Sequence, residues 1–517
     1  MKKKKSLLLM LLCCMMVFTC LSFTGCGSTA NDTDTLVYGS KDYTSINPAL
    51  YEHGEINALL FAGLTAHDKN NKVVPGMAKS WSWNESTKTY TFNLKKGLTF
   101  HDGKALTSAD VKFTLEAILN KDNNSEIVSN YTDIEKITCP DKLTVNIKLK
   151  QANVAFPEYM TIGILPKHLL EGKDMTNADF NTNPVGSGPY KLVKWDKGES
   201  ITMEAFKGYY GGTPKIKNVV FKIIDDSDAR ALALKKGEID MAQITPKDAK
   251  TLSDNKDFNI YDMKTADYRA ICYNFNNKFF KKHSELPNIL SYAINRKAIV
   301  KSVLLGEGQV AYSPIQKNKY NYSGMKKFTY NKKKCVSLLK ADGWKKNKDG
   351  YFEKNGEELK FTIWAMADDQ VRIDMAKMCA KELQDVGVNA IAKSKESLDW
   401  EHQTAAIIGW GSPFDADDHT YKVFTTGAGD NYTYYSNSAV DKTLTAARHT
   451  ENSSARKALY KQFQIELTQN MPYSFICYVD ADYAIRTNIS GITKSTILGH
   501  HGVGVFYNIA DWTKGSN

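Results

Sequence analysis

This 517-residue sequence has little cysteine it could pair and no long apolar run beyond its start. After the first two dozen residues, no stretch stays apolar for the roughly 20 residues a membrane helix needs, which excludes a bundle of membrane-spanning helices. Four of nine cysteines fall in the first 26 residues. The other five, Cys139, Cys272, Cys335, Cys379 and Cys477, are single and widely spaced. With no CxxC and no framework spacing, the cysteines point to no disulfide framework, and the five read as buried free thiols. GxSxG and HExxH are absent. The near-P-loop at 97–104 fails, because five residues separate its glycines and Ala105 stands where Ser or Thr is required. Internal repeats, heptads and low-complexity tracts are missing too. The formal net charge is +11, but no dense basic stripe with interleaved aromatics occurs, so nucleic acid is not an expected partner.

The N-terminus carries what the rest lacks. Lys2 to Lys5 form a positive region, and Leu7 to Leu21 an apolar one of signal-peptide length. The sequence then reads FTGC, Phe23 to Cys26. This is similar to a lipoprotein lipobox, although Phe23 and Thr24 depart from the usual Leu and small residue. Residues 1–25 are therefore expected to be a lipoprotein signal peptide. Cys26 becomes the first mature residue and is lipidated, and residues 26–34 act as a polar tether. The mature chain has 492 residues and a net charge of +7. That length is too great for one core and predicts two or three domains. The protein is expected on the outer face of the cell membrane, lipid-anchored and monomeric, and its many lysines suit anionic lipid and wall polymers.

Beyond the tether, short β patterns alternate with amphipathic helical patterns. Strands are expected at Thr35–Gly39, Thr87–Lys95, Leu143–Leu149, Val219–Ile224 and Phe361–Trp364. Helices are expected at Ile56–Leu64, Val111–Leu119 (capped by Thr107 or Ser108), Asp226–Lys236 and Gln370–Asp385, the last two ending near Gly237 and Gly387. The alternation predicts α/β lobes with mixed sheets.

Ordered motifs run along the chain: FAGLT (61–65), VPGMAKSW (74–81), YTFNLKKG (90–97), FHDG (100–103) and TSADVKF (107–113). NPVGSGPY (183–190), FKGYY (206–210), KGEID (236–240), YNFN (273–276), LSYAINR (290–296) and ADGW (341–344) follow. The series closely resembles the family 5 extracellular solute-binding proteins, which serve peptide and nickel ABC importers. The resemblance implies a periplasmic-binding-protein-like α/β fold with two hinged lobes, an interlobe cleft and an extra α/β domain. It places lobe I at 35–75 with 185–268 and 478–513, the additional domain at 76–184, and lobe III at 269–477. It also implies a binder, not an enzyme, that hands its ligand to ABC permease subunits. Stretch 183–190 resembles the family's return crossing between lobes. His101, inside FHDG, is read as scaffold; a lipoprotein hydrolase using His101 and Asp102 is the competing enzyme reading, and a surface adhesin a third class.

Two residue groups bear on the ligand. His53 after the first strand, with the adjacent pair His500 and His501 near the C-terminus, resembles the nickel-binding subgroup. Neutral imidazoles suit Ni(II), carried as transported ligand and not as a cofactor, and leave positions for a small chelator. Neighbouring histidines reach one ion only from irregular backbone, which the glycines of GHHGVG (499–504) permit. The alternative is a dipeptide or oligopeptide. Asp415 or Asp417 would then meet its α-amino group, without the family's Asp-Pro step. Arg372 would face a carboxylate of a peptide or chelator, and Trp410 would line the pocket.

Overall fold

The computed structural model describes residues 33–51 and 54–516. The expected signal peptide, Cys26 and His53 lie outside the described residues. A mixed sheet of eleven strands spans the described chain. Its path runs from Asn389–Lys395 through Lys360–Met366 and Ala405–Trp410 to the long strands Phe258–Tyr273 and Tyr473–Arg486. It continues through Met241–Ile244, Thr35–Ser40, Asn218–Ile223 and Ser200–Ala205 to Tyr190–Asp196. A separate four-stranded antiparallel sheet holds Ala78–Asn84, Thr89–Leu94, Thr144–Leu149 and Ile134–Asp141.

Local chemistry explains most elements. Tyr90, Phe92 and Leu94 are buried on one face of their strand, as their alternation requires. In the helix Ser108–Leu119 the Asp110 carboxylate accepts the Thr107 N–H at 2.8 Å, a reciprocal cap that stabilises by about 1 kcal/mol. Asp226 and Asp369 cap Ser227–Lys235 and Gln370–Gln384 through N–H bonds of 2.8 and 2.9 Å. The helix expected at Ile56–Leu64 is a correction: only Asn57–Leu60 is helical. The Leu60 carbonyl accepts the N–H of Gly188 and the Ala62 carbonyl that of Ile164, so non-local pairing draws the chain out of the helix. A Cβ on Gly186 would sit 1.8 Å from the Leu60 oxygen, so this approach demands glycine. His101 is bound into the same seam. Its Nδ1 accepts the Gly186 N–H at 3.1 Å, and its Nε2 donates to the Gly188 carbonyl at 3.1 Å. Stretch 183–190 thus leads into the edge strand Tyr190–Asp196, and His101 acts there as scaffold.

The crossing between lobes is made by the two long strands. They pair antiparallel, with register shifts between Lys264 and Tyr268 and between Arg269 and Ala270. One apolar core contains Leu36, Phe92, Tyr159, Tyr190 and Trp512, joining the four-stranded unit to the first lobe. A second contains Tyr268, Phe361, Trp410, Phe424 and Tyr473. At the interruption the Thr265–Asp267 stretch leaves its partner strand, and the Ala266 N–H donates to the Leu498 carbonyl at 2.9 Å.

Candidate ligand cleft

That interruption positions the cleft. A cavity of about 350 Å³ lies between the lobes, lined from 48–71, 127–163, 209–210, 411–419 and 496–507. Asp267, freed from regular pairing, lies 2.9 Å through Oδ1 from Nδ1 of His500, which lines the cavity. The same oxygen accepts Arg269 Nη1 at 2.5 Å, and Asp267 N–H donates to Thr265 Oγ1 at 2.9 Å. Burial raises the Asp267 pKa, but the Arg269 guanidinium and His500 more than offset it, holding the carboxyl well below the usual range. Burial pushes His500 down to about 4, against the opposing pull of Asp267. An ionised Asp267 only accepts, so Nδ1 of neutral His500 is the donor and Nε2 carries the lone pair. This is the tautomer in which imidazole ligates a metal.

The backbone around His500 is irregular, as expected. His501, Gly502 and Gly504 have φ of +53°, +75° and +106°. The rings of His500 and His501 stand 3.8 Å apart, but His501 is exposed and does not line the cavity. Tyr51 and Gly54, which flank the undescribed 52–53, do line it. Among the described residues no three His, Cys, Asp or Glu side chains group so as to hold a metal ion.

The expected peptide-reading residues take other places. Asp415 binds Arg456 through two contacts of 2.6 Å, both residues buried. Asp417 is held by Arg448 Nη2 at 2.7 Å and Tyr159 Oη at 2.5 Å. Neither lines the cavity, since each carboxylate is committed to a buried arginine. Asp418, from the same acidic run, lines it instead. Arg372 is buried behind the wall, 3.0 Å from Asp369. Trp410 is not part of the lining; its ring lies 5.4 Å from His500 and stacks on Tyr432, backing the site.

Several lining residues have no signature in sequence. His67 Nε2 lies 2.6 Å from Glu158 Oε2, and its ring stacks on Phe414 at 3.8 Å. Burial raises the Glu158 pKa. His419 Nδ1 accepts the Gly411 N–H at 2.9 Å, which places its ring proton on Nε2. Because His67 ends the strand Thr65–His67 that follows Leu64 of the first core, and Phe414 follows the strand Ala405–Trp410 of the second, the stack bridges the lobes. Tyr159 with Asp417, and Arg448 with the Ser129 carbonyl at 2.9 Å, do the same. The lobes therefore meet across the cleft, the arrangement by which hinge proteins enclose a ligand.

The sequence pattern of bacterial extracellular solute-binding proteins, family 5 Middle, matches residues 72–484. The chain belongs to this family. It is a substrate-binding protein of an ABC importer, and the family is one of solute binders, not enzymes. Members are extracellular or periplasmic. Among the described residues no helix is long and apolar enough to cross a membrane. The oligopeptide-binding protein AppA of Bacillus subtilis is 30% identical over 503 residues, covering 92% of this chain and 91% of AppA. The dipeptide-binding protein of Escherichia coli K12 is 28% identical, with 83% and 85% covered. Among solved structures, NikZ from Campylobacter jejuni in complex with Ni(L-His) matches with TM-score 0.89 and 37% identity, covering 93% of this chain and all of that one. AppA in complex with a nonapeptide matches with TM-score 0.85 and 29% identity, with 93% and 99% covered.

Proposed function

We propose that the cleft captures Ni(II) as a chelate with a small amino acid and delivers it to the permease. His500 supplies an imidazole nitrogen from Nε2, with His53 as a further donor and the chelator filling the remaining positions. The observation that carries this reading is the Asp267–His500 pair, a carboxylate that fixes the ligating tautomer from behind. Two further observations support it. The cavity, about 350 Å³, is at the small end of the roughly 300–1,000 Å³ typical of small-molecule sites. The solved structure at 37% identity holds Ni(L-His).

A dipeptide or oligopeptide is the second reading. It is favoured by the curated relatives and by Asp418 and Glu158 at the cavity, which could meet an α-amino group. Lipidation at Cys26 would hold the protein at the outer membrane face, with 27–34 as tether.

Calorimetric titration of the chain from Gly27 with Ni(II), alone and with L-histidine, tests the first reading. One-to-one binding that the His500→Ala/His501→Ala variant loses is the expected result. No heat in either condition overturns it and puts the peptide reading in front.

A further inference from the structure

A second concavity, of about 630 Å³, shares no lining residue with the cleft and is lined only by residues between Lys297 and Lys327. Lys297, Lys301 and Lys327 stand on its wall, all exposed, and no carboxylate lines it. Several surface lysines elsewhere find acids: Lys148 meets Glu135, Lys217 meets Asp34, Lys282 meets Glu357. Lys297, Lys301 and Lys327 meet none among the described residues.

Local composition deepens this imbalance. From Arg296 to Ala341 the sequence holds eleven basic residues against one acid, Glu307, while the whole chain carries only +11. Buried Arg296 gives its donors to the carbonyls of Ser291, Ile294, Phe328 and Phe475 and to Ser291 Oγ, with no carboxylate among them. Its guanidinium lies 5.0 Å from the Tyr312 ring, and Lys327 Nζ lies 5.9 Å from the same ring. A concave wall of uncompensated cations focuses positive potential, and lysine ammoniums bind phosphoryl oxygens as point charges. Tyr312, Tyr322 and Asn321 add hydrogen-bond donors to the lining.

We propose that this pocket is a second binding site, for a ligand bearing phosphoryl groups. The phosphoryl chemistry is common to a free oligophosphate and to the headgroup of an anionic lipid, and the experiment separates these sources. The purified protein is titrated with inorganic pyrophosphate and, separately, sedimented with phosphatidylglycerol or phosphatidylcholine vesicles. It is compared with Lys297→Gln/Lys301→Gln/Lys327→Gln and with Lys79→Gln/Lys96→Gln/Lys104→Gln, which removes equal charge from another surface. The expected result is saturable binding weakened at least tenfold in the first variant and little changed in the second, with both unfolding at the parent temperature. Binding of pyrophosphate alone assigns a free phosphate, and binding of phosphatidylglycerol vesicles with the same lysine dependence assigns a headgroup. Equal weakening in both variants, which net charge alone would produce, overturns the proposal. So does an absence of binding in both arms.

Discussion

Asp267 and His500 stand 233 positions apart in sequence, yet Oδ1 of one lies 2.9 Å from Nδ1 of the other. The contact exists because the strand carrying Asp267 breaks register between Lys264 and Tyr268 at the interlobe crossing. The break turns a feature of the interlobe crossing into part of the candidate site. Asp267 also pairs with Arg269, so one carboxylate serves both the fold and the imidazole.

Asp267→Asn is therefore expected to act twice. Leaving Arg269 buried without its counter-charge should cost about 3–5 kcal/mol, read by urea unfolding. Loss of the partner that fixes the His500 tautomer should weaken nickel-chelate binding about 10- to 100-fold, read by calorimetry. Unchanged affinity in a folded variant would separate His500 from the ligand.

The pH response follows from His500, whose pKa burial pushes down to about 4. The unfolded chain titrates this group near 6.5, so between about 6.5 and 4 the unfolded state binds a proton the native site refuses. The His500 contribution to stability is complete above pH 6.5 and is lost as pH falls toward 4, by an amount on the order of 3 kcal/mol. Comparing urea unfolding of the parent and His500→Gln between pH 4.5 and 7.5 should show a shallower pH slope in the variant. Nitrogen NMR of the imidazole should show Nδ1–H at pH 6.

Tyr159→Phe removes the hydroxyl that bridges the lobes at Asp417 while leaving Arg448 on that carboxylate. A hydrogen bond to a charged group stabilises by about 1.5–3 kcal/mol. This one forms only when the lobes meet, so ligand affinity should fall about 10- to 100-fold. X-ray scattering should then report a larger radius of gyration for the unliganded variant. An unaltered radius and affinity would show that this contact does not bias closure.

Gly411 has φ +148°, and a Cβ there would sit 1.9 Å from the Ala266 oxygen. Gly427, at φ +73°, has open space around its Cβ position. Gly427→Ala should cost about 1–2 kcal/mol from backbone strain alone. Gly411→Ala should cost more and also displace the Ala266–Asp267 stretch, lowering both the melting temperature and ligand affinity. Equal thermal shifts would contradict the close approach.

Cys26→Ala is expected to move the protein from the membrane fraction to the medium or periplasm, because one acylated cysteine would be its anchor. Metabolic labelling with a radioactive fatty acid checks the same point directly; a labelled Cys26→Ala chain would exclude this residue as the acceptor.

The sequence alone determined the elements whose signals are local. The alternation in Tyr90, Phe92 and Leu94, the cap at Thr107 and the stops at Gly237 and Gly387 depend on neighbours within a few residues, and each appears where its pattern predicts. Family membership was legible as well, because its motifs are packing constraints, as with His101 clasped between Gly186 and Gly188. The place of His500 at the cavity was legible too, since an adjacent histidine pair among glycines is a local signal. Only the tertiary structure decided the rest. Asp267, His67, Glu158 and His419 gather at the cleft from distant segments and carry no local periodicity. Asp415 and Asp417 had the right chemistry for a ligand ammonium, but folding brought Arg456 and Arg448 against them first. A buried charge takes whichever partner the packed chain supplies, and that choice is made by long-range geometry that no short stretch of sequence contains.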